Sequence, residues 1–231
     1  MEISTALITG GSSGIGKSIV KAIAELGIAT INADKQPPVE SHPMVSFLEC
    51  DVAKAEDVQN LYNIVKSNWN IPEIMVLNAG ISVHERLDEG DPEKWHQVYN
   101  TNIMGALRMI RAFAPEMKLY KSARIIFISS VAAGKIYPYG GIYSSSKIAL
   151  ETIAETLRVE LHPDIKVTIV SPGITTTEFF NNELAGNRSL DDFPLAGLNP
   201  QDVADQIINV IRGPENLVIN KIIIRPEAQE F

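Results

Sequence analysis

The opening of the chain, as far as Asp34, constrains the fold more than any other stretch. Ile3 to Thr9 is a short apolar run, and Gly10-Gly-Ser-Ser-Gly-Ile-Gly16 follows it as a glycine-rich turn. Ile15, Ile19, Val20, Ile23 and Leu26 then recur at helical spacing until Gly27 stops them. Ile28 to Ala33 is a second apolar run, closed by Asp34. Short β-branched runs bounded by turn formers read as buried strands. Strand, glycine turn, helix, strand and acid, in that order, make a βαβ unit. In such a unit Gly10, Ser12, Ser13, Gly14, Ile15 and Gly16 let backbone approach a pyrophosphate at a helix amino terminus, where N–H groups lack partners. Asp34 stands where a carboxylate can accept from adenosine ribose hydroxyls. The unit points to a dinucleotide.

The rest of the chain keeps alternating. Lys35 to Met44 carries Pro37, Pro38 and Pro43 with no helical period, so a crossover helix is expected to be missing or very short there. Val45 to Glu49 is a brief strand followed by Asp51-Val52, Ala55 to Trp69 a helix, and Ile74 to Leu77 a strand ending in Asn78-Ala79-Gly80. Asp91-Pro92 starts a long helix as N-cap and first residue. Trp95, Val98, Tyr99, Ala106, Met109, Ile110 and Phe113 form its apolar side, which Asn102 interrupts. Val167 to Val170 is a strand before Ser171-Pro172-Gly173, and residues 174 to 198 read as a mobile flap with one short helix. Val203 to Ile211 is the last helix and Leu217 to Ile224 the last strand. No repeat or linker interrupts the alternation. The expected fold is α/β: one domain over residues 1–231, a doubly wound parallel sheet of Rossmann type.

Arg124 to Lys147 carries the chemistry. Ile125-Ile126-Phe127-Ile128 is a buried strand that ends on Ser129 and Ser130. From Ile142 onward Leu150, Ile153, Leu157 and Leu161 mark a helix face, which places Tyr143 and Lys147 one turn apart on one side. A phenol titrates near pH 10 and is a poor proton donor at neutrality; a nearby ammonium is expected to pull that value down. Ser130, at the carboxyl end of the strand, can donate to an oxygen in the same space. Alone, a tyrosine and a lysine so spaced on an amphipathic helix are far more often a surface pair.

Composition narrows the partners. A net charge of −8 without a dense Lys/Arg cluster argues against nucleic acid. No apolar run approaches the length of a membrane span. The amino terminus has no basic region or cleavage site, and the single cysteine, Cys50, fits a reducing compartment. The expectation is a cytoplasmic protein acting on a small molecule, with no nucleic acid and no membrane. His42, His84, His96 and His162 show no metal-ligand spacing, so no metal is expected.

Together these residues resemble the short-chain dehydrogenase/reductase family, in its compact single-domain subgroup. Thr9-Gly-Gly-Ser-Ser-Gly-Ile-Gly16 fits its TGxxxGxG, Asn78-Ala-Gly80 its NAG and Tyr143 to Lys147 its YxxxK. The resemblance implies a tetrad of Asn102, Ser130, Tyr143 and Lys147. It places further cofactor contacts at Asp51, Val52, Asn78, Ala79, Gly80, Tyr143, Lys147, Pro172, Gly173, Thr175 and Thr177. It implies reversible hydride transfer between a nicotinamide cofactor and a secondary alcohol or ketone, and assembly as a homodimer or homotetramer. Asp34 favours NAD, while Lys35, directly after the strand, leaves an opening for NADP. Thr175 stands where the family often has valine, and the tail is shorter than in many members. Two other readings compete: a catalytically silent dinucleotide-binding regulator, and a sugar-nucleotide epimerase or dehydratase of the same fold. The intact tetrad speaks against the first, and the glycine spacing against the second.

Overall fold

The computed structural model describes residues 3–179, 183–186 and 196–229. Its strands are β1 (Thr5–Thr9), β2 (Ala29–Asp34), β3 (Val45–Glu49), β4 (Ile74–Leu77), β5 (Arg124–Ile128), β6 (Lys166–Pro172) and β7 (Lys221–Ile224). They form one sheet in the order β3-β2-β1-β4-β5-β6-β7, every neighbouring pair parallel. The order reverses between β1 and β4, so a crevice opens at their carboxyl ends, where ligands of such sheets bind.

Helices cover both faces, which is why the central strands are apolar throughout rather than alternating. On one face α1 (Gly14–Ala24) and α6 (Pro200–Arg212) pack over Ile8, Val76, Ile126 and Val170. On the other α2 (Ala55–Asn68), α4 (Ala106–Met117) and α5 (Gly141–Glu160) pack over Leu7, Met75, Phe127 and Ile169. Phe113 and Phe127 are fully buried there, each worth roughly 1.5–3 kcal/mol of transfer free energy. The α6 start is a capping box: the Asn199 side chain accepts from helix backbone while Asp202 accepts from the Asn199 N–H.

Residues 35–44 contain no helix, as the prolines require, and β2 passes to β3 through an irregular connection. Two expectations need correction. The long helix from Asp91 is not continuous. α3 (Pro92–Tyr99) passes through a π-helical turn, Asn100–Gly105, before α4, and the widened turn lets the Asn102 amide bond to the loop after β4. The last strand begins at Lys221 rather than Leu217. Leu217 turns back on Pro214, and Leu217 and Val218 stay exposed, so they add nothing to the ladder. The expected flap falls partly on residues 180–182 and 187–195, outside the described residues; the described part contains no helix.

Candidate active site

The glycine turn closes by packing and hydrogen bonding. Gly10 and Gly14 take positive φ of 67° and 51°, which a side chain would strain. Gly16 lies against the turn so closely that a Cβ there would sit 2.0 Å from the Gly10 carbonyl oxygen. α1 therefore starts directly under the turn. Its N-cap, Ser13, makes no side-chain capping bond, so the first N–H groups still face outward at the positive end of the helix dipole. Asp34 accepts from the Ser12 N–H at 2.9 Å and the Gln36 N–H at 3.3 Å. Ser12 Oγ donates to the Gln36 carbonyl and accepts from Asn32 Nδ2. Ionised carboxylate oxygens keep further lone pairs, so Asp34 can still accept from a ribose.

Thr9 and Asn78 tie that turn to the centre of the sheet. The Thr9 hydroxyl accepts from the Asn78 and Ala79 N–H groups, while Asn78 Nδ2 donates to the Thr9 and Gly10 carbonyls. Asp51 and Val52 follow β3 beside Asp34, whose carbonyl accepts from the Cys50 N–H. Val52 is buried against Gly105. Pro172 and Gly173 end β6, with the Gly173 N–H donating to Ile224. Thr175 Oγ1 donates back to the Gly173 carbonyl. Thr177 packs on Gly14 at 3.4 Å from where a Cβ would stand. Residues from the ends of five strands, β1, β2, β3, β4 and β6, thus line one crevice. A free helix amino terminus, a turn only glycine can form and a carboxylate at the second strand fit a dinucleotide.

The catalytic candidates meet at the adjoining wall. Ser130 caps a 3-10 turn, Val131–Gly134, through the Ala132 N–H, and its hydroxyl lies in hydrogen-bonding reach of the Tyr143 phenol. Lys147 is 5 % exposed; its Nζ donates to the Ile128 carbonyl at 3.0 Å and lies 5.7 Å from the Tyr143 ring centre. Gly80 packs beside both Lys147 Nζ and Asn102 Oδ1. Asn102 pairs with Ile81 as a strand would: Oδ1 accepts from its N–H and Nδ2 donates to its carbonyl. Nδ2 also donates to Ser146 Oγ.

Electrostatics there differ from the expectation. The Tyr143 ring is partly exposed but its hydroxyl is enclosed, and burial pushes the phenol well above its ordinary value. Tyr137 and Glu183 add to the rise, and the Ser130 hydrogen bond opposes it. Burial also lowers the Lys147 ammonium to about 8, against the Glu151 carboxylate on the next turn. A desolvated ammonium that bonds a backbone carbonyl does not outweigh the desolvation of the phenol.

Sequence reasoning missed three contributors. Asn32, buried in β2, steadies Ser12; its one signal was an amide in an apolar run. Ser146 supports Asn102 and donates to the Tyr143 carbonyl. Glu183 reaches the site from the flap and gave no sequence signal. Among the described residues no group of acids, histidines or cysteines could hold a metal, and no helix is long and apolar enough to cross a membrane.

The comparisons agree with this geometry. A family model described as short chain dehydrogenase matches residues 4–188. The chain is 30% identical over 237 residues to an uncharacterized oxidoreductase of Staphylococcus saprophyticus, covering 97% of this chain and 96% of that protein. It is also 30% identical over 245 residues to a Haemophilus influenzae protein named "probable NADP-dependent dehydrogenase", covering 100% of this chain and 96% of the other. A solved alcohol dehydrogenase of the archaeon Thermococcus sibiricus, complexed with 5-hydroxy-NADP, superposes with a TM-score of 0.87 at 26% identity, covering 99% and 98% of the two chains.

Proposed function

The chain belongs to the short-chain dehydrogenase family and is an NAD(P)-dependent oxidoreductase; from that premise we propose that it interconverts a secondary alcohol and a ketone on a small molecule, with NAD as the preferred cofactor. The observation that carries the reading is the convergence of Ser130, Tyr143 and Lys147 beside a crevice that fits a dinucleotide. When bound, the nicotinamide gives or takes the hydride. Everything else falls to side chains. Ser130 donates a hydrogen bond to the substrate oxygen, where negative charge develops. Tyr143 gives its proton to that oxygen in reduction and takes it back in oxidation. Lys147 favours the phenolate and, as in the family, holds the nicotinamide ribose. Asn102 supports a water that passes protons between Lys147 and solvent. In favour of that role, a cavity of about 10 Å³ adjoins Asn102, Thr9 and Ala79, on the order of one water in size.

NAD preference rests on Asp34. Its carboxylate is held at the turn by two backbone N–H groups, and a 2′-phosphate would bring a dianion against it. Lys35 is exposed, so solvation competes with any phosphate for its ammonium. The Haemophilus influenzae relative and the Thermococcus sibiricus structure carry NADP in their descriptions, and that is a property of those proteins. Assembly follows the family: the π-helical turn before α4 leaves Met104 exposed at 44% and α5 leaves Ile148 exposed at 47%, apolar area that a dimer or tetramer would cover. Light scattering at micromolar concentration should give at least twice the monomer mass. The reaction itself is tested by following cofactor absorbance with both nicotinamides over a panel of secondary alcohols, ketones and hydroxy acids. Tight dinucleotide binding with no turnover across the panel would replace this reading with the silent regulator.

A further inference from the structure

A buried histidine–glutamate contact lies beside Tyr143 that the reaction chemistry does not use. His84 sits in the loop after β4 and is 7% exposed. Its Nδ1 lies 2.7 Å from Glu183 Oε1, with the two side chains 4% and 1% exposed. That is a close approach rather than a well-aligned hydrogen bond, since Nδ1 has no hydrogen-bond partner of good geometry. The same carboxylate oxygen accepts from Ser82 Oγ at 3.2 Å. On its other side His84 Nε2 lies 3.2 Å from the Tyr137 hydroxyl.

Backbone bonds surround the contact. The Leu184 N–H donates to the Ser82 carbonyl, and the His84 N–H donates to the Ala185 carbonyl. Gly186 packs on His84 closely enough that a Cβ would meet the His84 Cβ at 2.8 Å. Residues 183–186 therefore run along the loop after β4 like a short added strand. Rings complete the wall: His84 and Phe179 stand 6.1 Å and 5.8 Å from the Tyr143 ring centre.

We propose that His84 and Glu183 are a positioning pair, whose buried contact holds residues 183–186 against the loop after β4 and so fixes the substrate-side wall of Tyr143. The proposal rests on the reading of Tyr143 as the proton-transfer group. They act through Tyr137 and through the segment they hold, and Glu183 also raises the Tyr143 phenol. Either single change removes the contact, while Glu183 keeps the Ser82 hydroxyl and His84 keeps Tyr137. With the contact already gone, removing the second member costs the segment little more.

The test is a double-mutant cycle, His84→Ala, Glu183→Ala and both, read in two ways. The first reading is amide exchange at Leu184, which does not depend on turnover. We expect it to accelerate about tenfold in either single variant and no further in the double variant. The second is steady-state kinetics with a substrate from the alcohol and ketone panel. The loss should fall on KM, again about tenfold for His84→Ala, with kcat changed far less. His84→Gln, which keeps a donor toward Glu183, should recover most of the loss. Unchanged exchange in His84→Ala, or single effects that simply add in the double variant, overturns the proposal. If no substrate turns over at all, the reaction reading fails and the exchange measurement still decides the pair.

Discussion

The cofactor end and the catalytic end of this crevice are built by opposite means. At the cofactor end, Gly10 to Gly16, α1 and Asp34 come from one continuous stretch, and backbone holds them: a glycine φ, a helix start, N–H groups on a carboxylate. At the catalytic end, Tyr143 and Lys147 share a helix turn, but their surroundings arrive from elsewhere. Ile128, Asn102, His84, Phe179 and Glu183 belong to distant segments. One end is specified by what the chain can do locally. The other is specified by burial, which only the assembled fold supplies. The first should therefore fail when a single atom is added, and the second when charge or a proton site is changed.

Tyr143→Phe tests the catalytic end most severely. It removes the proposed proton donor and leaves the ring near His84 and Phe179. We expect kcat to fall by at least about a thousandfold, about 4 kcal/mol of barrier, with dinucleotide affinity within about twofold of wild type. Retention of more than about a tenth of kcat, about 1.4 kcal/mol, would remove Tyr143 from the chemistry.

Gly16→Ala is the matching blow to the cofactor end. The new Cβ would stand 2.0 Å from the Gly10 carbonyl oxygen, so turn or helix must move. Dinucleotide Kd is expected to rise about a hundredfold, with about 1–3 kcal/mol of lost stability. Calorimetric titration with unchanged affinity would show that the turn is not where the pyrophosphate rests.

A third measurement separates the ends by pH. Lys147 titrates at about 8 in the fold against 10.5 for an ordinary lysine. Below about 8 both folded and unfolded chains carry the charge, and the burial cost is felt in full. Between the two values the unfolded chain holds a proton that the folded chain has released, so stability rises with pH through that window. Tyr143 has the opposite sign: its raised phenol keeps its proton above pH 10 while the unfolded phenol ionises, and stability then falls. Denaturant titrations should show about 2 kcal/mol gained by wild type from pH 8 to pH 10 relative to Lys147→Met. Parallel pH curves for the two proteins would contradict the enclosed ammonium.

The smallest effect sharpens cofactor choice. Asp34→Ala removes an acceptor but leaves the glycine turn, so NAD binding should weaken only about tenfold, about 1.4 kcal/mol. NADP should gain by a similar factor as the repulsion disappears. Comparing kcat/KM for both cofactors in wild type and variant reads this directly. An unchanged NAD to NADP ratio would show that Asp34 does not read the ribose.

Local signals made much of this legible. Alternating apolar runs and helical stripes implied a parallel sheet covered on both faces, and Pro37, Pro38 and Pro43 implied the missing crossover helix. Asn102 was visible as an amide inside an apolar stripe, but the π-helical turn that aims it was not. That turn depends on a bond to Ile81 from another part of the chain. Val218 was misread as strand because its apolar side chain resembles a core residue, yet the ladder reaches only Lys221 to Ile224.

The sequence by itself determined the βαβ unit and a parallel sheet covered on both faces, and it singled out Ser130, Tyr143 and Lys147 as candidates, because periodicity, glycine and proline act within a few residues of where they stand. Tertiary structure decided the electrostatics. Proximity of Lys147 to Tyr143 along the helix suggested a lowered phenol, but enclosure of both groups raises the phenol and lowers the ammonium. It also decided that Glu183 meets His84 beside Tyr143. Burial and long-range approach depend on every segment that closes over a site, and no local pattern carries that information.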